Sequence, residues 1–156
     1  MNNIHLEYNP MFVTASYVTY VDNIDLSKIT EHVNYLDKHV PNVRRQRSNA
    51  GGFQTEDIHP LPYDFEETGK LFDQWIKPSV GTILDSWKVP HEIDNFSYWY
   101  NLNTKYTYNR EHIHANSLVS GVYYVKVPSD SGKIVFNRSV NEYDRMHNIQ
   151  SIYAAN

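Results

Sequence analysis

The segment from Leu118 to Phe136 restricts the fold more than any other part of this sequence. Valine and tyrosine predominate from Leu118 to Val127, the polar stretch "PSDSG" follows, and Lys133 to Phe136 is again mostly apolar. Valine and tyrosine favour strands, whereas a proline and a glycine flanking polar residues favour a turn. The segment therefore predicts a β-hairpin.

An amphipathic stretch over residues 26–40 predicts a helix. Its apolar residues recur on one helical face: Ile29, Val33, Leu36 and Val40. Asp25 is placed to cap the start, Ile24 to pack onto the first turn, and Pro41 to end the helix.

A second helix is predicted near residues 65–88. It begins close to Asp64, with Glu67 spaced as a capping-box partner. Pro78 falls inside this stretch, so we expect it to kink or split the helix.

Strand-like sequence lies on both sides of the two helices. Residues 12–21, "FVTASYVTYV", predict a strand near the N-terminus, and the character becomes strand-like again from Ile93 onward. The whole pattern predicts an α+β chain, mainly β, with the helices outside an antiparallel β structure.

Composition narrows the classes of function. The chain has no cysteine, so any bound metal must use imidazole and oxygen ligands. The net charge of −4 gives no reason to expect nucleic acid. No apolar run is long enough to span a membrane and no signal peptide is visible, so a cytoplasmic protein is expected.

His112 and His114 form the clearest candidate site. On a strand, residues two apart point to the same face, with Cβ atoms about 7 Å apart, and two such imidazoles can converge on one ion. The chain has eight histidines, so a chance pair at a strand edge is the alternative. Glu111 would point to the other face and is a poor third ligand.

Residues 98–136, "YWYNLNTKYTYNREHIHANSLVSGVYYVKVPSDSGKIVF", resemble the 2-oxoglutarate/Fe(II) oxygenases common in marine bacteriophages and bacteria. The features shared are a tryptophan and asparagine strand, a His-X-His, a Ser-Gly-Val-Tyr-Tyr strand and a glycine-containing hairpin, in this order. Upstream, "SNAGGFQT" at residues 48–55 is similar to another segment of that family. The resemblance extends from about Arg47 to Phe136.

The resemblance implies a fold. It is an antiparallel double-stranded β-helix, or jelly roll, with residues 1–156 as a single oxygenase-like domain. Residues 1–92 would supply the supporting helices and strand, and residues 93–156 the barrel core. A jelly roll needs about eight strands and fewer are visible, so we expect C-terminal strands to be missing.

The resemblance also implies iron ligands. His112 matches the first histidine of the two-histidine, one-carboxylate triad of the superfamily. His114 stands where the carboxylate usually lies, which is a departure. The family's distal histidine lies in a late strand that this sequence lacks. His147 is the one later histidine and lies in a polar stretch. It is the candidate third ligand, with a surface-loop histidine as the favoured alternative.

For the co-substrate, the resemblance points to two tyrosines and a lysine. Tyr100 and Tyr124 match pocket tyrosines that would bind the far carboxylate of 2-oxoglutarate, and Lys126 is the substitute for a cation that the family carries after its distal histidine.

The predicted function is an Fe(II)- and 2-oxoglutarate-dependent dioxygenase that hydroxylates an unidentified substrate, a protein or a small molecule. A homodimer is compatible with the sequence, and a phage-encoded protein would act in the host cytoplasm. Two alternatives remain open. One is an inactive or truncated jelly roll with a binding or structural role, and the other is a cupin-like all-histidine metalloenzyme that does not use 2-oxoglutarate.

Overall fold

The computed structural model describes residues 15–58, 64–93, 96–115 and 117–136. Across these ranges the chain is α+β, with short strands that pair antiparallel. The helices are α1 (Leu26–His39), α2 (Glu66–Leu71) and α3 (Lys77–Ser86), and a 3₁₀ turn covers Pro41–Val43. The strands are β1 (Asn49–Ala50), β2 (Phe53–Gln54), β3 (Asn101–Leu102) and β4 (Tyr108–Asn109).

Helix α1 confirms the first predicted helix and its cap. Asp25 Oδ1 accepts hydrogen bonds from the backbone N–H groups of Ser27, at 3.2 Å, and Lys28, at 3.4 Å. These bonds satisfy donors that the first turn of a helix leaves without intrahelical partners. The helix ends shortly before Pro41, as the sequence predicts.

The second predicted helix is present, but its start differs from the prediction. The N-cap position of α2 is Phe65, without a side-chain cap. The Asp64 carboxylate instead accepts hydrogen bonds from tyrosine hydroxyls. Glu67 forms an ion pair with Lys70 at 2.9 Å. The capping-box prediction is wrong because both carboxylates are engaged by other partners.

A π-helical turn, Phe72–Ile76, joins α2 to α3, whose second residue is Pro78. Proline has no N–H, and in a regular α-helix its ring would clash with the carbonyl four residues earlier. A wider π turn at this point accommodates the ring. The predicted interruption at Pro78 therefore takes the form of a local widening, and the helical run continues to Ser86.

The β2–β3 ladder contains a bulge. Gln54 lies opposite Asn101, and an isolated bridge further along joins Ile58 to Tyr98. Residues 54 and 58 are four positions apart, whereas their partners 101 and 98 are three positions apart. The segment 54–58 therefore contains one extra residue. An extra residue on one of two paired strands is a β-bulge.

Thr55 compensates for this bulge. Its hydroxyl accepts a hydrogen bond from the backbone N–H of Tyr100 at 3.1 Å and donates one to the carbonyl of Glu56 at 2.9 Å. The residue is 1% exposed, so without the hydroxyl the Tyr100 N–H would be buried and unpaired. A side chain thus replaces a missing backbone acceptor.

A turn at Gly51-Gly52 joins β1 to β2. Gly51 has a φ of 82°, in the left-handed region that favours glycine. A Cβ added to Gly52 would lie 2.6 Å from Asn103 Oδ1 and 2.7 Å from the carbonyl oxygen of Leu102. Asn49 Nδ2 donates to the same Asn103 oxygen at 2.7 Å. The second glycine is therefore needed for close approach to the neighbouring chain.

The core lies between α1, α2 and the β2–β3 ladder. Its buried cluster consists of Ile29, Val33, Phe53, Leu71, Tyr98 and Tyr100. Each of these elements contributes at least one member. The two helices therefore cover one face of the ladder and leave its other face available for a site.

Residues 117–136 are assigned no strand, in contrast to the predicted hairpin. Strand propensity depends strongly on neighbouring chains, and no described segment pairs with these residues. Side chains nevertheless alternate between two sides of this segment. Tyr123 and Val125 pack against the core cluster, whereas Val122 is 62% exposed and Tyr124 is 54% exposed.

The described strands are short, so the jelly roll stays a prediction. The strand predicted at residues 12–21 is not formed over its described part, 15–21. The division at residue 92 and the single domain over 1–156 likewise stay predictions. In the described ranges, no helix combines the length and the apolar character that crossing a membrane requires.

Candidate metal site

The structure brings the two predicted histidines together. The Nε2 atoms of His112 and His114 lie 2.9 Å apart, and the ring centroids lie 4.9 Å apart. The predicted convergence of the two imidazoles is therefore present, although the residues lie in an extended stretch outside any assigned strand. His112 is exposed and His114 is half-buried.

His112 is held through the backbone of Arg110. Its Nδ1–H donates to the Arg110 carbonyl at 2.7 Å. The Arg110 N–H in turn donates to the carbonyl of Ser48 at 2.8 Å, which extends the β1–β4 pairing by one residue. The segment "SNAGG" therefore contributes to the site by fixing the backbone that orients His112.

His114 is held by an aromatic ring and a hydroxyl. The Trp99 ring meets the imidazole edge-to-face, with centroids 5.3 Å apart. The Ser120 hydroxyl lies 3.2 Å from His114 Nδ1. Burial, and then the neighbouring His112, lower the pKa of His114, while the negative charge of Asp57 acts in the opposite direction. These effects favour the neutral imidazole, which is the form that binds metals.

The separation of the two nitrogens fits adjacent positions on an octahedral ion. Two nitrogens 2.9 Å apart and each about 2.1 Å from an ion subtend an angle of about 90° at that ion. A tetrahedral site would need a separation of about 3.4 Å at the same bond length. Non-haem Fe(II) sites keep adjacent ligands on one face and leave other positions open. The pair therefore fits two ligands of such an ion.

An aspartate–arginine pair lies on the same face as Trp99. Ile58 and Tyr98 form a bridge and both contact the core, so Asp57 and Trp99 lie opposite each other on the outer face. Arg47 Nη1 donates to both Asp57 carboxylate oxygens, at 2.9 and 3.2 Å. The charge of Asp57 acts on His114, and Arg47 is bound to that carboxylate.

Tyr100 belongs to the same extended stretch, directly before β3, and its side chain points into the core, away from Trp99. Its hydroxyl donates to Asp64 Oδ1 at 3.0 Å and lies 2.7 Å from Thr68 Oγ1. The Tyr98 hydroxyl donates to the same Asp64 oxygen, and His32 Nε2 lies 2.9 Å from the second one. Burial raises the pKa of both phenols above their ordinary value. The predicted co-substrate role of Tyr100 stays a prediction, because its hydroxyl bonds Asp64 and Thr68 rather than facing the imidazoles.

The remaining predicted residues are not brought to the histidines. Tyr124 is exposed, and Lys126 lines an open groove beside Leu26 and Glu31 at the start of α1. His147 lies outside the described residues. Within the described ranges, the pair is not joined by a third histidine, cysteine or carboxylate in a group able to hold a metal.

Comparison with known proteins supports the resemblance over part of the chain. Residues 97–154 match the model of a family described as "Putative 2OG-Fe(II) oxygenase". Both histidines lie inside this region, which covers just over a third of the sequence. No curated protein and no solved structure matches the chain. The match supports an oxygenase-like function and does not identify a substrate.

Sequence reasoning found the two histidines but missed the groups that hold them. Trp99 lies between two buried tyrosines, so strand alternation alone would have placed it on the outer face. The position of Asp57 near the site could not be predicted, because it depends on the register of the β2–β3 ladder, which is not visible in the sequence. The Arg110 carbonyl is a backbone group and gives no sequence signal.

Proposed function

We propose that the chain is an Fe(II)- and 2-oxoglutarate-dependent dioxygenase that hydroxylates an unidentified substrate. The observation that carries this proposal is the 2.9 Å separation of two imidazole nitrogens, one of them braced by a backbone carbonyl. The family match over residues 97–154 supports it independently.

In this proposal His112 and His114 hold the iron at two adjacent positions. When bound, Fe(II) with 2-oxoglutarate supplies dioxygen-dependent oxidation, which protein side chains cannot carry out by themselves. The protein orients the ligands, positions the substrate and excludes water. Trp99 covers one side of His114 and thereby limits solvent at that ligand.

The charge of the site suits an acidic co-substrate. Two neutral histidines leave the charge of a divalent cation uncompensated, and an anionic chelator such as a 2-oxo acid compensates it. Arg47 lies close by through its ion pair with Asp57. The proposal also keeps the roles predicted from the sequence. These are His147 as third iron ligand, and Tyr100, Tyr124 and Lys126 as co-substrate contacts.

The wider expectations also remain part of the proposal. They are a jelly-roll barrel in one domain, a cytoplasmic location, and a phage or bacterial origin of the family. A homodimer remains compatible with the proposal. The family match supports the oxygenase class alone.

The decisive experiment measures succinate formed from 2-oxoglutarate by the whole chain with Fe(II), ascorbate and dioxygen, without a primary substrate. We expect slow uncoupled turnover that falls to background in His112→Ala and in His114→Ala. His91→Ala is the matched control, because His91 Nδ1 also lies within hydrogen-bonding distance, 3.0 Å, of the carbonyl two residues earlier, outside the imidazole pair.

Each outcome separates the proposal from its alternatives. Succinate that depends on both histidines supports a dioxygenase. Metal binding without succinate favours an all-histidine metalloenzyme of another kind. Absence of both metal binding and succinate favours a binding or structural protein, and either of these last two results overturns the proposal.

A further inference from the structure

Hydrogen-bond donors and acceptors at the histidine pair fix one tautomer. A carbonyl oxygen only accepts, so His112 must carry its proton on Nδ1, facing Arg110 at 2.7 Å. A neutral His112 therefore presents a lone pair on Nε2. The 2.9 Å contact with His114 Nε2 then requires that His114 donate, since two facing lone pairs would repel.

The metal-free His114 thus carries its proton on Nε2, and its Nδ1 is an acceptor. The Ser120 hydroxyl, 3.2 Å away, donates to that nitrogen. A metal ion between the imidazoles needs both Nε2 lone pairs, so His114 must then carry its proton on Nδ1. A serine hydroxyl can rotate and accept this proton without moving its oxygen.

We propose that Ser120 is a positioning residue that holds His114 in both tautomers and so allows the pair to change from a hydrogen bond to a metal site. This inference rests on the proposed metal site. His114 releases the Nε2 proton to solvent and takes one up at Nδ1, so the neutral pair gains and loses no net proton. His112 needs no such change, because the Arg110 carbonyl fixes it in the metal-binding tautomer beforehand.

The expected effect follows from what replaces the hydroxyl. Loss of the group that bonds a metal-ligating histidine lowers metal affinity by about 10- to 100-fold. His114 is half-buried, so water can partly replace the serine. We therefore expect the smaller loss of this range, a metal affinity about 10-fold weaker in Ser120→Ala.

The experiment uses the whole chain and Zn²⁺, a diamagnetic probe that binds imidazole. Calorimetric titration compares wild type with Ser120→Ala, Ser120→Thr and Ser117→Ala. Threonine keeps the hydroxyl and should retain affinity within about 3-fold, a margin well below the 10-fold loss expected for alanine. Ser117 lies in the same loop and bonds His114 through its backbone N–H, so its alanine variant should match wild type.

Long-range ¹H–¹⁵N spectra of the imidazoles report the tautomers directly. Without metal, we expect the proton on Nδ1 of His112 and on Nε2 of His114. With Zn²⁺, both rings should carry it on Nδ1. A merely structural role of Ser120 would leave these spectra and the rescue by threonine unexplained.

The outcomes distinguish this inference from the proposed function. Wild-type affinity in Ser120→Ala, or an Nδ1 proton on metal-free His114, overturns the role of Ser120 and leaves the metal site standing. A wild-type chain that binds no metal overturns both. Metal binding with the expected tautomers but without succinate overturns the dioxygenase proposal and supports the role of Ser120.

Discussion

Replacement of Asp64 by alanine should destabilise the protein strongly, although the residue precedes a helix that it does not cap. The Asp64 carboxylate accepts from the hydroxyls of Tyr98 and Tyr100, which are 8% and 9% exposed, and lies 2.9 Å from His32 Nε2. A hydrogen bond to a charged group contributes about 1.5–3 kcal/mol, and a buried group left unpaired costs about as much.

Tyr100 keeps Thr68 as a second partner, and His32 is reachable by water because its side chain is 16% exposed. The Tyr98 bond is therefore lost in full, and the other two are lost in part. We expect the free energy of unfolding to fall by about 3 kcal/mol in Asp64→Ala.

Urea unfolding followed by circular dichroism measures this loss. Asp85→Ala is the matched control, because Asp85 is 77% exposed and lies 4.0 Å from a histidine nitrogen. It should change stability by less than about 0.5 kcal/mol. Combination of Asp64→Ala with Tyr98→Phe should cost less than the sum of the two separate losses. A loss below about 1 kcal/mol in Asp64→Ala would refute this account of the carboxylate.

Three further predictions concern the ladder and the turn. Burial raises the pKa of Tyr98 and Tyr100, so these phenols ionise in the unfolded chain at lower pH than in the folded protein. The free energy of unfolding should therefore fall above pH 10, by about 1.4 kcal/mol per pH unit for each phenol. Urea unfolding at successive pH values measures this fall. Thr55→Val should cost about 2 kcal/mol in the same assay, since it leaves the Tyr100 N–H unpaired. Gly52→Ala should cost about 1–3 kcal/mol because of backbone contact, whereas Gly121→Ala, with nothing within 4 Å, should be neutral by thermal melting.

The helices were predictable because their signals are local. The apolar spacing over residues 26–40 and the Asp25 cap depend only on neighbours in sequence, and the structure reproduces both. Pro78 also acts locally, although the sequence does not reveal whether the helix kinks, splits or widens. The capping-box prediction at Asp64 was wrong because two tyrosines, 34 and 36 residues later, donate hydrogen bonds to the carboxylate. Such long-range competition leaves no trace in a local pattern.

The candidate site was predictable in its two central residues and not in its surroundings. The i, i+2 spacing of His112 and His114 is enough to bring the imidazoles together in an extended chain. The contact of Asp57 with Arg47 depends on strand register, and that of Ser120 with His114 depends on where the chain places residues 117–120. The strand prediction at residues 118–127 failed for the converse reason, since a strand requires a partner that local propensity does not supply.

The short extended stretch of residues 98–100, directly before β3, connects the core to the candidate site. Tyr98 and Tyr100 point inward and are fixed by Asp64, so Trp99 between them must point outward, where its ring meets His114 at 5.3 Å. The anchoring of the tyrosines therefore limits the movement of the tryptophan. Groups that bind metals need ligands and supports held within about 0.5 Å, which core contacts achieve better than loops. The position of the Trp99 ring that supports His114 thus depends on contacts buried on the opposite face of this stretch.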